Sequence, residues 1–206
     1  MPDRMPAVIS SAVEGLVDEA VVKRLIYEAG GNPGPVFGKN GKPHLKKHIS
    51  GYNQAALLSP WLVLLDLNHE FDCAPPLKSS WLPKPSRNMC FRVAVREVEA
   101  WLLADRQRFA SFFQVPLSTI STDPESIENP KELIVKLAGK SRSRAVRDDM
   151  VPRLGSGRTI GPAYPSRLIE FAIDFHNGWR PQHAARYSDS LTRCLNRLKE
   201  LTAIRL

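Results

Sequence analysis

Apolar residues along the chain follow two periods. Residues 7–13 (AVISSAV), 61–67 (WLVLLDL) and 90–95 (CFRVAV) are short runs, apolar enough to predict strands, and the second reads as a central strand covered on both faces. After the first run, Val17, Val21, Leu25 and Ile26 recur at helical spacing up to Gly30-Gly31 and predict an amphipathic helix. After the third, Val98, Trp101, Leu102 and Phe109 predict one helix over REVEAWLLADRQRFASFF. A further helix is expected over residues 44–58, and Val36 with Phe37 fits a short strand inside a connection rich in Gly, Pro and Lys. Strands alternating with helices imply a parallel sheet.

The second half reads differently. Residues 114–130 form a polar, proline-punctuated connection, and PKELIVKLAG predicts a short helix with Pro130 in its first turn. A basic, glycine-containing stretch follows to Pro165, and two helices, 166–177 and 188–203, close the chain. The expected organisation is an α/β core over 1–113, with a basic connection and helical extension over 114–206 packed on the same domain. No internal repeat is visible.

Composition narrows the class. With 206 residues, 43% hydrophobic and 24% charged, the chain is long and balanced enough for an ordinary globular core. No run approaches the roughly 18 to 20 apolar residues of a membrane span, and MPDRMPAVIS has no signal-peptide core, so a cytoplasmic location is expected. Cys73, Cys90 and Cys194 are widely spaced and odd in number, which suggests buried thiols rather than a disulfide framework or zinc knuckle. The formal charge of +8 favours polyanionic partners, because Lys and Arg release counterions when they meet phosphates.

Chemistry concentrates at strand ends. AVISSAV runs into Glu14-Gly15, and WLVLLDL carries Asp66, with Asn68, His69, Glu70 and Asp72 close behind. In a parallel sheet both acids emerge at the carboxyl edge, where sites form. Two carboxylates there can hold Mg²⁺, which keeps several waters and takes the rest of its shell from a substrate phosphate. A second reading stays open: Glu14 as a first-turn residue favoured by the helix dipole, and Asp66 as a cap for the segment after it.

The pieces VEGLVDEAVVKRLI and LVLLDLN resemble the two motifs of the Toprim domain, shared by topoisomerases, primases and nucleases of the overcoming-lysogenization-defect type. Four further pieces look like a Toprim-like family found in bacterial genomes, so that the resemblance spans nearly the whole chain. They are FRVAVREVEAWLLAD, DPESIENPKELIVKLA, the G-x-x-Y of Gly161 to Tyr164 and the W-x-P-x-x-A…S-x-S-L of Trp179 to Leu191. The resemblance implies a Toprim-like, Rossmann-like α/β fold with a mostly parallel sheet. It also implies a metal-dependent nuclease or related phosphoryl-transfer enzyme using Mg²⁺ or Mn²⁺, with a place in bacterial defence. Asp66 is then the principal ligand, and Glu14 is a ligand or general acid or base. Where the motif has a second Asp this chain has Asn68, a neutral ligand; Glu70 or Asp72 is expected to compensate, and Glu97 and Glu99 leave the neighbouring strand CFRVAV close enough in sequence to line the same crevice. The competing expectation is a catalytically silent nucleic-acid-binding or regulatory subunit beside an ABC-type ATPase.

Two basic tracts are candidates for phosphate contact. One is Lys39, Lys42, Lys46 and Lys47; the other lies between 131 and 158, with eight Lys or Arg against three Asp or Glu, and includes Arg142, Arg144, Arg147 and Arg158. An ordinary solvated surface is the alternative for each. GPVFGKN lacks the spacing and the Ser or Thr of a Walker motif, and GSGRTIG lacks the strand and spacing of a dinucleotide fingerprint. His69 and Cys73 have no second pair to make a zinc site.

Overall fold

The computed structural model describes residues 6–68 and 71–203. In the first half β1 (Val8–Val13), α1 (Leu16–Glu28), β2 (Asn32–Gly38), α2 (Gly41–Ala55), β3 (Trp61–Asp66), α3 (Ala74–Trp81) and β4 (Met89–Ala94) follow one another. Helices α4 (Val98–Leu103), α5 (Arg106–Phe112), α6 (Pro130–Gly139), α7 (Arg144–Met150), α8 (Tyr164–Ile173), α9 (Pro181–Ala184) and α10 (Asp189–Ala203) complete the described chain. The described strands make one parallel sheet in the order β2-β1-β3-β4. The protein is therefore α/β, a parallel sheet flanked by helices in a Rossmann-like arrangement.

Side chains alternate strictly across this sheet, as the period of two requires. Ile9, Val13, Leu62, Leu64, Cys90 and Ala94 enter one core, with α1 and the helices of the second half. Ala12, Trp61, Val63, Leu65, Met89, Phe91 and Val93 enter the other, against Leu45 and Ile49 of α2 and Leu77 and Trp81 of α3. Because the first core also takes in Leu168, Phe171, Trp179, Leu191 and Leu195, residues beyond 114 share it with β1, β3 and β4.

Several expectations need correction. The single helix predicted over 96–113 is two, α4 and α5, because Asp105 leaves helical geometry and caps α5 by accepting from Arg108 N–H. Its buried carboxylate also receives Arg180 through the backbone N–H and the Nε and Nη2 of the guanidinium. Helix α3 went unpredicted because APPLKSSW has two prolines and little apolar rhythm, yet Pro75 and Pro76 sit in a first turn that needs no internal N–H donors. Helix α7 lies inside the expected basic loop, held by Ser143 capping and by Val146 and Met150. Strand β2 extends back from Val36 through Pro33 and Pro35, tolerated because β2 is an edge strand. Cys90 and Cys194 are buried, but Cys73 is exposed.

One glycine positions the site. Gly38 has φ of +85°, and a Cβ there would lie 2.3 Å from the Val13 carbonyl oxygen. This close approach lets Lys39 N–H donate to the Val13 carbonyl and Gly41 N–H to that of Glu14, which brings the start of α2 to the end of β1. No helix among the described residues is long and apolar enough to cross a membrane.

Candidate functional site

The ends of β1, β3 and β4 are neighbours in register: Ala12 pairs with Val63, and Asp66 pairs with Ala94. Glu14, just past β1, accepts the backbone N–H of Asp66 at Oε1, 2.9 Å away, and so ties β1 to β3. Asp66 Oδ1 in turn accepts Val98 N–H at 3.0 Å, one of the amides that open α4. Asp66 thus does cap a helix, though at an amide 32 residues further on rather than in the segment immediately after it. Lys42 Nζ donates to the Asp66 carbonyl at 2.8 Å. Asp18, in the first turn of α1, accepts Gly15 N–H at 3.0 Å through Oδ2, while Oδ1 is buried with no partner.

The third strand brings the other acids. Glu97 accepts both the backbone N–H of Lys131 at 3.0 Å and its ammonium at 3.3 Å. Glu99, 3% exposed, lies 3.7 Å from the same ammonium and accepts the Tyr164 hydroxyl at 3.3 Å. Lys131 sits at the start of α6, so that helix delivers a cation to the acids of α4 and its approach.

Like charges at this density perturb one another. Burial pushes the Asp66 carboxyl well above its ordinary value, and Asp18, Glu99, Glu14 and Glu97 push it further. Burial also raises Asp18, against the backbone N–H groups it accepts. Glu99 is raised by burial to about 7, even with Lys131 pulling it down. Burial works against the Lys131 charge, yet Glu99, Glu97 and Asp66 outweigh it and raise its pKa. Burial and Glu99 together hold Tyr164 firmly as the neutral phenol.

The sequence-predicted set is brought together only in part. Glu14, Asp66, Glu97 and Glu99 meet at the carboxyl edge, but Glu97 and Glu99 are turned to Lys131 rather than presented together with Glu14 and Asp66. Among the described residues no three His, Cys, Asp or Glu side chains form a group that could hold a metal ion. Asn68 takes a left-handed turn at φ 52°, its backbone joined to Arg96 by two hydrogen bonds. Asp72 is exposed, and the charges that act most strongly on Asp66 are Asp18, Glu99, Glu14 and Glu97. Glu70 and His69 lie outside the described residues. The donor set fits Mg²⁺ or Mn²⁺ held by one or two carboxylates, Asp66 and Glu14, with water and a substrate phosphate supplying the rest. Burial first, and then Asp18, Glu99, Glu14 and Glu97, disfavour a charged Asp66, a cost that such an ion would offset, and the Asp18 Oδ1 beside it is buried without a hydrogen-bond partner.

Of the basic candidates, Lys42 lies against Asp66, and Lys39 pairs with Glu19 at 3.1 Å close by. Lys46 lies over the Trp81 ring, and Lys47 is exposed. Arg142 and Arg158 are exposed; Arg144 pairs with Asp148, and Arg147 donates to the Ser141 carbonyl. None of these four arginines has a contact with Glu14, Asp66, Glu97 or Glu99 among the ion pairs and hydrogen bonds of the described residues.

Lys131, Tyr164 and Asp18 were not among the predicted site residues, although each lies in a piece that carries the resemblance. A Lys beside Pro130 and a Tyr four residues after Ile160 give no periodic signal, and only the fold brings them to Glu99. Comparison of the chain with protein-family models, with curated proteins and with solved structures finds no match.

Proposed function

We propose that this protein is a Toprim-type, metal-dependent nuclease or related phosphoryl-transfer enzyme that hydrolyses phosphodiester bonds in nucleic acid, working in the bacterial cytoplasm with a place in defence. The observation that carries the reading is the meeting of Glu14 and Asp66 at neighbouring parallel strand ends inside a field of like charge. Asp66 and Glu14 would hold Mg²⁺ or Mn²⁺, which when bound supplies Lewis acidity toward the scissile phosphate. The bonds from Asp66 N–H to Glu14 and from Val98 N–H to Asp66 fix both carboxylates, so neither has to be ordered when substrate arrives. Lys42 and Lys131 place positive charge beside them, suited to the charge that develops on a phosphate. Glu99, raised to about 7, holds or releases a proton near neutral pH. No described side chain stands out as a covalent nucleophile, which favours water as the attacking group.

Binding of the ion is tested by melting the protein in millimolar Mg²⁺ or Mn²⁺. An ion at about a hundred times its Kd adds about 2.7 kcal/mol, which for a chain of this size corresponds to roughly 5 to 10 °C. Asp66→Asn keeps an oxygen for Val98 N–H and should abolish that rise; an equal rise in the variant places the ion elsewhere.

A second reading is favoured by one observation. The Lys131 ammonium already sits among Glu97, Glu99 and Asp66, so the cluster carries an internal cation. A silent nucleic-acid-binding or regulatory subunit, working beside an ABC-type ATPase, needs no more than that. It predicts no melting shift with metal and nucleic-acid binding without cleavage.

A further inference from the structure

Opposite the edge strand β2, the sheet ends at β4, and a groove of about 730 Å³ runs along it between α3 and α10. Lys78, Arg92, Arg193 and Arg197 line the groove together with the acids Glu125, Asp189 and Glu200. Arg193 pairs with Asp189 in a largely exposed pair that solvent screens, and the half-buried Arg197 pairs with the exposed Glu200. Lys78 and Arg92 form no ion pair with any described residue. The Arg92 guanidinium is instead fixed by neutral carbonyls, Nε donating to Arg193 at 3.3 Å and Nη1 to Phe91 at 3.2 Å, which hold its position without cancelling its charge. The Lys78 ammonium is depressed, first by burial and then by Arg92 and Arg193. Of the acids in the lining, Asp189 and Glu200 pair with Arg193 and Arg197, and Glu125 accepts from Ser188 and Ser190. Lys78 and Arg92 are therefore two cations without an ion-pair partner among the described residues on one concave surface, one of them rigidly placed, an arrangement suited to an anion.

The groove also points somewhere. Its upper wall includes Val95 and Cys73, at the carboxyl edge. Val95 follows Ala94, the register partner of Asp66 on the adjacent strand, about 4.8 Å away. By contrast, the arginines from Arg142 to Arg147 are partly engaged locally, Arg144 with Asp148 and Arg147 with the Ser141 carbonyl.

We propose that the α3–α10 groove is the track for the phosphate backbone of the nucleic acid, with one phosphate seated between Lys78 and Arg92 and the chain leading over Val95 to Glu14 and Asp66. The inference rests on the nucleic-acid reading above. It is tested without metal, so that cleavage plays no part, by fluorescence anisotropy of labelled single-stranded and duplex DNA at several salt concentrations.

The double variant Lys78→Gln with Arg92→Gln should weaken binding at least about tenfold and reduce the slope of log K against log salt by about 1.4 to 1.8, the loss of two phosphate contacts. Arg92→Lys, which keeps the charge, should recover part of the affinity, and melting curves establish that each variant is folded. A folded double variant with wild-type affinity and slope overturns the groove, as does wild type that binds neither form of DNA. Mg²⁺-dependent cleavage by wild type is scored separately. Cleavage retained with an unchanged slope removes the groove alone, whereas a changed slope without cleavage removes the nuclease reading and leaves the groove.

Discussion

Replacing Glu99 with Gln removes a charge that the fold tolerates only near Lys131. Glu99 is 3% exposed, and its pKa rises from 4.5 to about 7, chiefly through burial. A carboxyl raised in the folded state holds its proton where the unfolded chain has released it, so native stability falls as pH climbs from 4.5 to 7 and then levels. Each pH unit in that window is about 1.4 kcal/mol, so ionised Glu99 costs the fold about 3 kcal/mol at pH 8. Gln is nearly isosteric and still offers an oxygen to the Tyr164 hydroxyl. Glu99→Gln should therefore melt roughly 6 to 12 °C above wild type at pH 8 in the absence of metal, and close to it at pH 4. Thermal melts followed by circular dichroism from pH 4 to 8.5 measure this. A difference that is flat with pH, or a variant less stable at pH 8, refutes the account of Glu99 as a buried carboxyl whose ionisation costs stability.

Two more perturbations probe the frame around the site. Lys131→Met strips the counter-charge from Glu97 and Glu99; with the Lys131 side chain 43% exposed, the loss should be about 1 to 2 kcal/mol at pH 8 and should vanish at acid pH, by urea denaturation. Asp105→Ala removes a fully buried carboxylate that caps α5 and receives Arg180, so it should cost about 3 kcal/mol, roughly 6 to 12 °C in Tm, with DNA binding per folded molecule unchanged. A loss under about 1 kcal/mol would mean the helix break at Asp105 is incidental.

The parts of the fold that were legible are those where one local rule dominates. WLVLLD and CFRVA are β3 and β4 because runs this apolar must be covered on both faces, and α1 and α6 end where Gly or Pro punctuation says they should. Illegible were features decided at long range. Residues 96–113 have unbroken helical rhythm, and only Arg180, 75 residues away, explains why the chain breaks at Asp105. Glu14 and Asp66 were readable as a pair because each ends a parallel strand. Lys131 and Tyr164 were not, since nothing local to residue 131 or 164 points at Glu99. The basic patches show the same division: charge runs such as Arg142–Arg147 are conspicuous in one dimension, whereas Lys78 and Arg92 are isolated in the sequence and meet only across α3 and β4.

Cleavage itself tests the central claim most directly. Labelled single-stranded and duplex DNA and RNA are incubated with wild type or Asp66→Asn in Mg²⁺, Mn²⁺ or chelator, and the products are resolved on a denaturing gel. Metal-dependent hydrolysis should appear with wild type on at least one substrate, disappear with chelator, and fall by at least about a hundredfold in Asp66→Asn, the scale expected when an electrostatic stabiliser of the transition state is removed. Wild type that binds nucleic acid yet cleaves none of these substrates with either metal, or Asp66→Asn that cleaves as fast as wild type, contradicts the account.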